Sequence, residues 1–312
     1  MTDGQADWSG IVYGDFTDPK KFRQRLEAGA DPLGELWTFD TPLHAAAQKG
    51  SPQVVFELAS RARDLDAFCQ GRSALWNAVY HQREDNASVL AELGADPWRP
   101  MMDGWSPGRL SLAGPLGDLF EAPEDQALTD QERAMADAGP ELAEVFSGIS
   151  YDGFSMACVA GLTAAEAVQR LPVGEVIAVD DHAPWHEQDF YGEREIVGVT
   201  DVPGGCVIAQ PWAYRAVDVL EVVTAGTFAY GMYANPKSGN QGHVAEDGRR
   251  IKRDLHPGYD LDPTSTAREI LASFASRRNA IVHCLVYASL RPDSTDCLER
   301  PDTWVRLGSK RF

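Results

Sequence analysis

Residues 41–50 read TPLHAAAQKG, and a weaker version of this stretch recurs further along the chain. SALWNAVYHQ at 73–82 aligns with it, and SPGRLSLAG at 106–114 aligns again after almost the same spacing. A second marker, GADP, occurs at 29–32 and again at 94–97, which is two such spacings further on. Both markers indicate a period of about 33 residues, and a fixed period of this length predicts stacked structural repeats.

The residue types within each repeat are typical of two short helices. Thr41 predicts the N-cap of an inner helix, and Pro42 is suited to its first turn. Gly29 and Gly94 lie where an outer helix should end, at a position that favours a left-handed backbone. The apolar stripes of the outer helices are carried by Val54, Val55 and Leu58, and by Val89, Leu90 and Leu93.

A period near 33 that carries TPLHxA is similar to the ankyrin repeat. The resemblance covers about residues 8–115 and implies an all-α solenoid, which we predict as the domain 1–115. We count two well-formed repeats with a partial repeat on each side. His44 is expected to be the buried structural histidine of this family, whereas Trp76 and Arg109 replace it in the next two repeats. An array this short is expected to depend on further structure, because about three repeats are the usual minimum.

The resemblance also implies a surface for a protein partner, since ankyrin repeats commonly bind through their loop tips and inner helices. Trp, Tyr, Arg and Met are enriched at interface hot spots, and these types occur at the corresponding positions. The predicted partner-binding residues are Trp37, Phe39, Asp40, Arg72, Trp76, Tyr80, Met101, Met102 and Trp105. In an alternative interpretation, the same tips pack against the C-terminal part of this chain.

The remainder of the chain divides into a linker and a second domain. The segment 116–145 carries nine acidic side chains and one base, and we predict an acidic helical linker there. In the predicted domain 146–312, turn signals at 203–205 and 247–248 favour β-hairpins. Hairpins outnumber strand–helix–strand units, which predicts an α+β domain with an antiparallel sheet.

The second domain resembles an uncharacterised domain family found mainly in actinobacteria. The motifs that carry this resemblance lie at 161–166, 207–210, 219–226 and 246–248. The family often has Glu at the position of Gln210. This resemblance implies a bacterial source and adds no activity, because the family has none assigned.

Composition narrows the classes of function. The chain has 312 residues and a formal net charge of −19, so nucleic acid and anionic membranes are not expected partners. The five cysteines form no CxxC pair, and a polar N-terminus without a long apolar run predicts a cytoplasmic protein. We predict no metal and no cofactor, and the sequence leaves the oligomeric state open.

Two hypotheses of function follow. The first is an interaction or scaffold protein that binds a protein partner. The alternative is an enzyme, a hydrolase or cyclase of a small metabolite, with a site in a cleft between the repeat tips and the C-terminal domain. Its candidate catalytic residues are Asp181, His182, His186 and Glu187. Pro184 argues against a helix that would bring the two histidines onto one metal. A third possibility is a regulator that blocks another protein with its acidic face.

Overall fold

The computed structural model describes residues 7–36, 40–149, 152–178, 194–259 and 261–308. The chain forms two compact units. The first comprises residues 1–133 together with 261–267, and the second comprises 134–260 together with 268–312. The first is built from helices and the second around an eight-stranded antiparallel sheet, so the predicted fold class is confirmed.

The helices of the first unit follow one another as stacked pairs. Their bounds are α1 (Pro19–Glu27), α2 (Pro42–Lys49), α3 (Pro52–Ala59), α4 (Ala74–Tyr80), α5 (Glu84–Glu92) and α6 (Pro107–Ser111), with 3-10 turns at Tyr13–Thr17, Met102–Gly104 and Glu124–Gln126. Within a pair α2 packs on α3 and α4 on α5, while α2, α4 and α6 stack along the array. Each helix is too short to be stable alone, so this stacking supplies its stability.

Four helices of the array begin with the same hydrogen bond. The hydroxyl oxygens of Thr41, Ser51, Ser73 and Ser106 each accept a hydrogen bond from the backbone N–H three residues later. Each bond satisfies a backbone donor that the first turn of a helix leaves unpaired. The predicted N-cap at Thr41 is confirmed, and the repeat supplies the same device at two further inner helices.

The period is also visible between the helices. The carboxylates of Asp31, Asp64 and Asp96 each accept a hydrogen bond from the backbone N–H two residues later, at 2.9, 3.0 and 2.8 Å. Gly29 and Gly94 precede two of these turns with φ of 99° and 102°. Because other residues rarely adopt this conformation, glycine ends the outer helix there, as predicted.

The strands of the second unit form one antiparallel sheet. Their bounds are β1 (Ser155–Ala160), β2 (Val173–Ile177), β3 (Ile196–Val202), β4 (Gly205–Gln210), β5 (Phe228–Asn235), β6 (Gly239–Glu246), β7 (Arg249–Asp254) and β8 (Thr303–Leu307). Their order across the sheet is β2-β8-β3-β4-β1-β5-β6-β7. Asp247 and Gly248 have φ of 47° and 75° and form the tight turn predicted between β6 and β7.

The helices that follow the array in the described residues include some that pack on the two faces of this sheet. Their bounds are α7 (Asp130–Val145), α8 (Ala164–Arg170), α9 (Arg215–Asp218), α10 (Leu220–Val223), α11 (Ala267–Ser276), α12 (Ala280–Tyr287) and α13 (Asp296–Glu299). On one face, apolar side chains of α8, α9 and α10 share a core with alternate strand residues such as Ala157 and Ile208. On the opposite face, α12 contacts β5 and β1. The apolar spacing at 212–224 predicts one helix, but the structure has two short ones, α9 and α10, which meet at Val219.

Helix α7 lies close to α11 at a glycine. A Cβ atom placed on Gly139 would be 2.4 Å from the carbonyl oxygen of Ala275 and 2.6 Å from its Cβ. Both distances are far below van der Waals contact, and both involve atoms that cannot rotate away. The close approach of the two helices therefore depends on a residue without a side chain.

We expect Gly139→Ala to lower the free energy of unfolding by about 1–3 kcal/mol, because overpacking outweighs the roughly 1 kcal/mol of helix propensity that Ala gains. Urea unfolding followed by circular dichroism measures this change. Gly14→Ala is the matched control, since a Cβ there meets no atom within 4 Å. Equal stability of Gly139→Ala and the wild type would contradict the packing described.

Candidate functional site

His44 connects two neighbouring repeats. Its Nδ1 lies 2.7 Å from the Thr41 hydroxyl, and its Nε2 lies 3.0 Å from the carbonyl oxygen of Arg72. Burial lowers the pKa of His44, so the ring is neutral near pH 7. The neutral ring then donates from Nε2 to the carbonyl and accepts at Nδ1. His44 is a structural residue that holds the next loop in place.

Two loop tips of the array form tight hairpins, which we call fingers. In finger 69–72, Cys69 and Arg72 exchange backbone hydrogen bonds of 2.9 and 3.1 Å, and Gln70 and Gly71 have positive φ. In finger 101–105, the Met101 N–H donates to the carbonyl of Trp105 at 2.7 Å. The backbone of each finger is thus fixed by its own hydrogen bonds, which gives the side chains on it defined positions.

A segment from much later in the chain packs on both fingers. Residues 261–267 belong to the first unit. A Cβ atom placed on Gly71 would lie 3.1 Å from the Cβ of Pro263, so the turn and the proline are in close contact. The Asp103 carboxylate accepts a hydrogen bond of 2.6 Å from the Ala267 N–H. The chain's own residues therefore occupy part of the finger surface.

The predicted partner-binding residues differ in their exposure. Trp76, Met102 and Trp105 are buried, with 0%, 3% and 0% of their surface exposed. Asp40, Arg72, Tyr80 and Met101 are half-buried. Trp37 and Phe39 lie outside the described residues. The three buried side chains fill the interior of this structure, so a partner would reach them only after they were uncovered.

In the second repeat, Trp76 replaces the histidine that links neighbouring repeats. It occupies the position in α4 that is equivalent to that of His44 in α2. Its indole Nε1 is buried and has no hydrogen-bond acceptor within the described part of the chain. The second repeat therefore lacks the hydrogen bond that His44 makes to Arg72 and gains buried apolar volume instead.

Arg109 occupies the same position in the third repeat. Its guanidinium lies 4.6 Å from the ring centre of Trp105, and its Nη2 donates to both carboxylate oxygens of Glu132 at 3.0 and 2.9 Å. Glu132 also accepts from the N–H and hydroxyl of Thr129 at 2.8 and 2.9 Å. These contacts close the last repeat with residues that follow it in sequence.

We expect Glu132→Ala to lower the free energy of unfolding of the first unit by about 2 kcal/mol, because it leaves the partly buried Arg109 without its counter-charge. A double-mutant cycle with Arg109→Ala should give a coupling of about 1 kcal/mol or more. Thermal unfolding of the full chain measures both. Glu121→Ala, at an exposed acidic position, should change stability by less than about 0.5 kcal/mol. An equal loss in this control would contradict a specific role for Glu132.

One aromatic side chain of the array remains open to solvent beside a finger. Phe68 is 49% exposed, and the guanidinium of Arg99 lies 4.8 Å from its ring centre. We call Phe68 and Arg99 the Phe68 patch. The sequence-based prediction missed both residues, because the predicted partner-binding residues nearest to them in the chain are Arg72 and Met101. The signal that points to them is an aromatic residue in a loop segment that should be polar.

The second unit contains a buried polar cluster beneath α12. The Tyr230 hydroxyl donates to the Asp254 carboxylate at 2.6 Å, and His283 Nε2 lies 3.9 Å from the same oxygen. Burial lowers the pKa of His283 to about 4, although Asp254, a hydrogen bond to the backbone of Ala272 and Glu269 act in the opposite direction. His283 is therefore neutral near pH 7 in the folded chain.

This shift predicts a loss of stability in mild acid. The unfolded chain takes up a proton on this histidine near pH 6.5, whereas the folded chain does so only near pH 4. The contribution of His283 is therefore complete above pH 6.5 and falls by about 2–3 kcal/mol as the pH decreases to 4. Unfolding free energies at several pH values should show a smaller decrease for His283→Gln than for the wild type. A wild-type slope in His283→Gln would contradict the assignment.

The candidate catalytic residues of the enzyme hypothesis belong to one short stretch of sequence. Asp181, His182, His186 and Glu187 lie outside the described residues, so their catalytic role stays a prediction. Across the part of the chain that is described, no three His, Cys, Asp or Glu side chains are grouped to hold a metal ion. Gln210 is buried, and its amide donates to the carbonyls of Arg194 and Ile196 at 2.9 and 3.1 Å. It acts there as a structural connection between strand ends.

Comparison with known proteins identifies the repeats. The family model described as ankyrin repeats (3 copies) matches residues 22–101. The chain thus contains ankyrin repeats, and the matched model holds three copies where we counted two well-formed ones. No curated protein matches this chain. In the described residues, no helix combines the length and apolar character needed to cross a membrane.

Proposed function

We propose that the chain is an interaction protein whose ankyrin array binds a protein partner at the Phe68 patch and the two fingers. Ankyrin repeats generally mediate binding between proteins, and the match at 22–101 supports this class of function. The observation that carries the specific proposal is the half-exposed ring of Phe68 beneath Arg99.

The Phe68 patch has the chemistry of an interface hot spot. Truncation of an aromatic residue or of an arginine is among the changes that most weaken binding at an interface. The guanidinium already lies over the ring, so few rotamers remain to be ordered when a partner binds. Arg72 and Met101 lie half-buried on the two fingers and extend the proposed surface.

The partner that fits this surface offers an apolar side chain to the Phe68 ring and an acceptor to Arg99. We also propose that it is a cytoplasmic protein rather than nucleic acid or a membrane. The net charge of −19 supports this, because it repels polyanions over most of the surface. The enzyme hypothesis receives no such support from the described residues.

The experiment uses the full chain as bait in cells that express it, followed by measurement of affinity for each recovered protein after separate expression. We expect Phe68→Ala/Arg99→Ala to weaken binding at least tenfold, since hot-spot truncations cost about 2 kcal/mol or more. Phe56→Ala is the control, because Phe56 is 51% exposed on α3, away from the fingers. Its affinity should stay within about twofold of the wild type, as for a surface change outside an interface.

Three results would contradict the proposal. One is that no protein binds the purified chain in a saturable manner. Another is that the Phe68→Ala/Arg99→Ala variant keeps wild-type affinity. The third is that Phe56→Ala weakens binding to the same extent, which would place the interface on the outer helices.

A further inference from the structure

The second unit contains a cleft that the proposed ankyrin interface does not use. It has a volume of about 490 Å³ and lies where β5 and β6 meet the loop between α11 and α12. Phe154, Met232, Ala234 and Ile281 underlie it as buried side chains, and the surface that it offers to a ligand is mostly polar. A recess of this volume lies within the range of small-molecule sites.

Two arginines stand at the edge of this cleft. Arg277 and Arg278 both line it and both are exposed. Neither forms an ion pair with any carboxylate among the described residues, although Asp152 also lines the cleft. In a chain of net charge −19, two adjacent cations that form no ion pair with the described carboxylates are a local exception to the overall charge.

The backbone at these arginines is unusual. Arg277 and Arg278 follow the last residue of α11 with φ of 48° and 70°. Left-handed residues at this position are usually glycine or asparagine, because a Cβ atom makes the conformation unfavourable. Two consecutive arginines are therefore unfavourable in this left-handed conformation. Backbone strain of this kind is concentrated at functional sites. Arginine at these two positions places a guanidinium group on a turn with a defined backbone conformation.

The polar side chain next to the two arginines is already used within the fold. The Asn279 side chain accepts hydrogen bonds from the N–H groups of Ile281 and Val282 at 3.0 and 3.2 Å, which completes the start of α12. Charge recognition in the cleft therefore rests on the two arginine side chains rather than on the helix end. A guanidinium matches carboxylate and phosphate oxygens in geometry and charge.

The cleft continues beyond Tyr259. Asn240 and Tyr259 line both this cleft and an adjoining recess of about 450 Å³, which Gly239, His256 and Pro257 complete. The guanidinium of Arg278 lies 5.4 Å from the ring centre of Tyr259. An aromatic wall beside a cation is suited to a ligand that carries an anionic group on an apolar or ring-containing body.

We propose that this cleft binds a small organic anion, with its carboxylate or phosphate held by Arg277 and Arg278 and its apolar part resting on the exposed ring of Tyr259. The cleft and the Phe68 patch share no residue, so the proposal does not depend on the proposed partner binding.

Isothermal titration of the full chain with phenyl phosphate, phenylacetate and benzyl alcohol tests this proposal. We expect saturable binding of at least one of the two anions and at least tenfold weaker binding of the neutral alcohol. The stronger anion identifies the charged group as phosphate or carboxylate. Absence of saturable binding by both anions, or equal binding of benzyl alcohol, would overturn the proposal.

Variants separate a built site from general electrostatics. Arg277→Gln/Arg278→Gln should weaken binding of the stronger anion at least tenfold. Arg63→Gln/Arg133→Gln changes the net charge equally at exposed positions in the first unit and should leave affinity within twofold. An equal loss in both double variants would overturn the site.

A glycine variant excludes misfolding as the cause of lost binding. Arg277→Gly/Arg278→Gly removes both charges and suits the left-handed backbone, so its melting temperature should equal or exceed that of the wild type. We expect it to lose binding as the glutamine variant does. Wild-type affinity in this variant would show that the arginines do not hold the anion.

Discussion

A short repeat array has two ends that its own repeats cannot cover, and the first unit is organised around closing them. At the start, the Trp8 indole donates to the carbonyl of Asp31 at 2.7 Å, and the rings of Phe16 and Phe22 pack 5.0 Å apart. At the end, Arg109 and Glu132 join the last repeat to residues outside it. Both ends are covered by side chains that do not follow the repeat pattern. A residue that follows the pattern would need a further repeat to pack against.

The features that sequence could predict are those set by local geometry. Thr41, Gly29 and Gly94 take the conformations expected of them, since caps and left-handed helix ends depend on a few neighbouring residues. The burial of Trp76 and Trp105 could not be predicted in the same way. Whether an aromatic residue on a repeat faces solvent depends on what packs over it from distant sequence. The proposed surface therefore centres on the exposed Phe68 and includes Arg72 and Met101 from the predicted residues.

The sheet also has some features that local sequence predicts and others that depend on distant parts of the chain. The hairpin at Asp247-Gly248 follows from the turn residues alone. Strand β1 carried no such signal, because it is buried on both faces and lacks alternation; Ser155 pairs with both Gln210 and Tyr233. Strand β8 lies between β2 and β3 in the sheet, although it is far from both of them in sequence. No sequence pattern marks Arg277 and Arg278 as site residues, because their proposed role depends on their backbone conformation and on the adjoining cleft.

The first unit is discontinuous, and this has a consequence for how the protein is made. Residues 134–260 must be synthesised before the segment 261–267 that packs on the fingers leaves the ribosome. At about 5–20 residues per second, this delay lasts roughly 6–25 s. During that interval the array exists as a nascent chain whose fingers are bare, so a chaperone or early-binding protein meets a different surface from the one that the finished molecule presents.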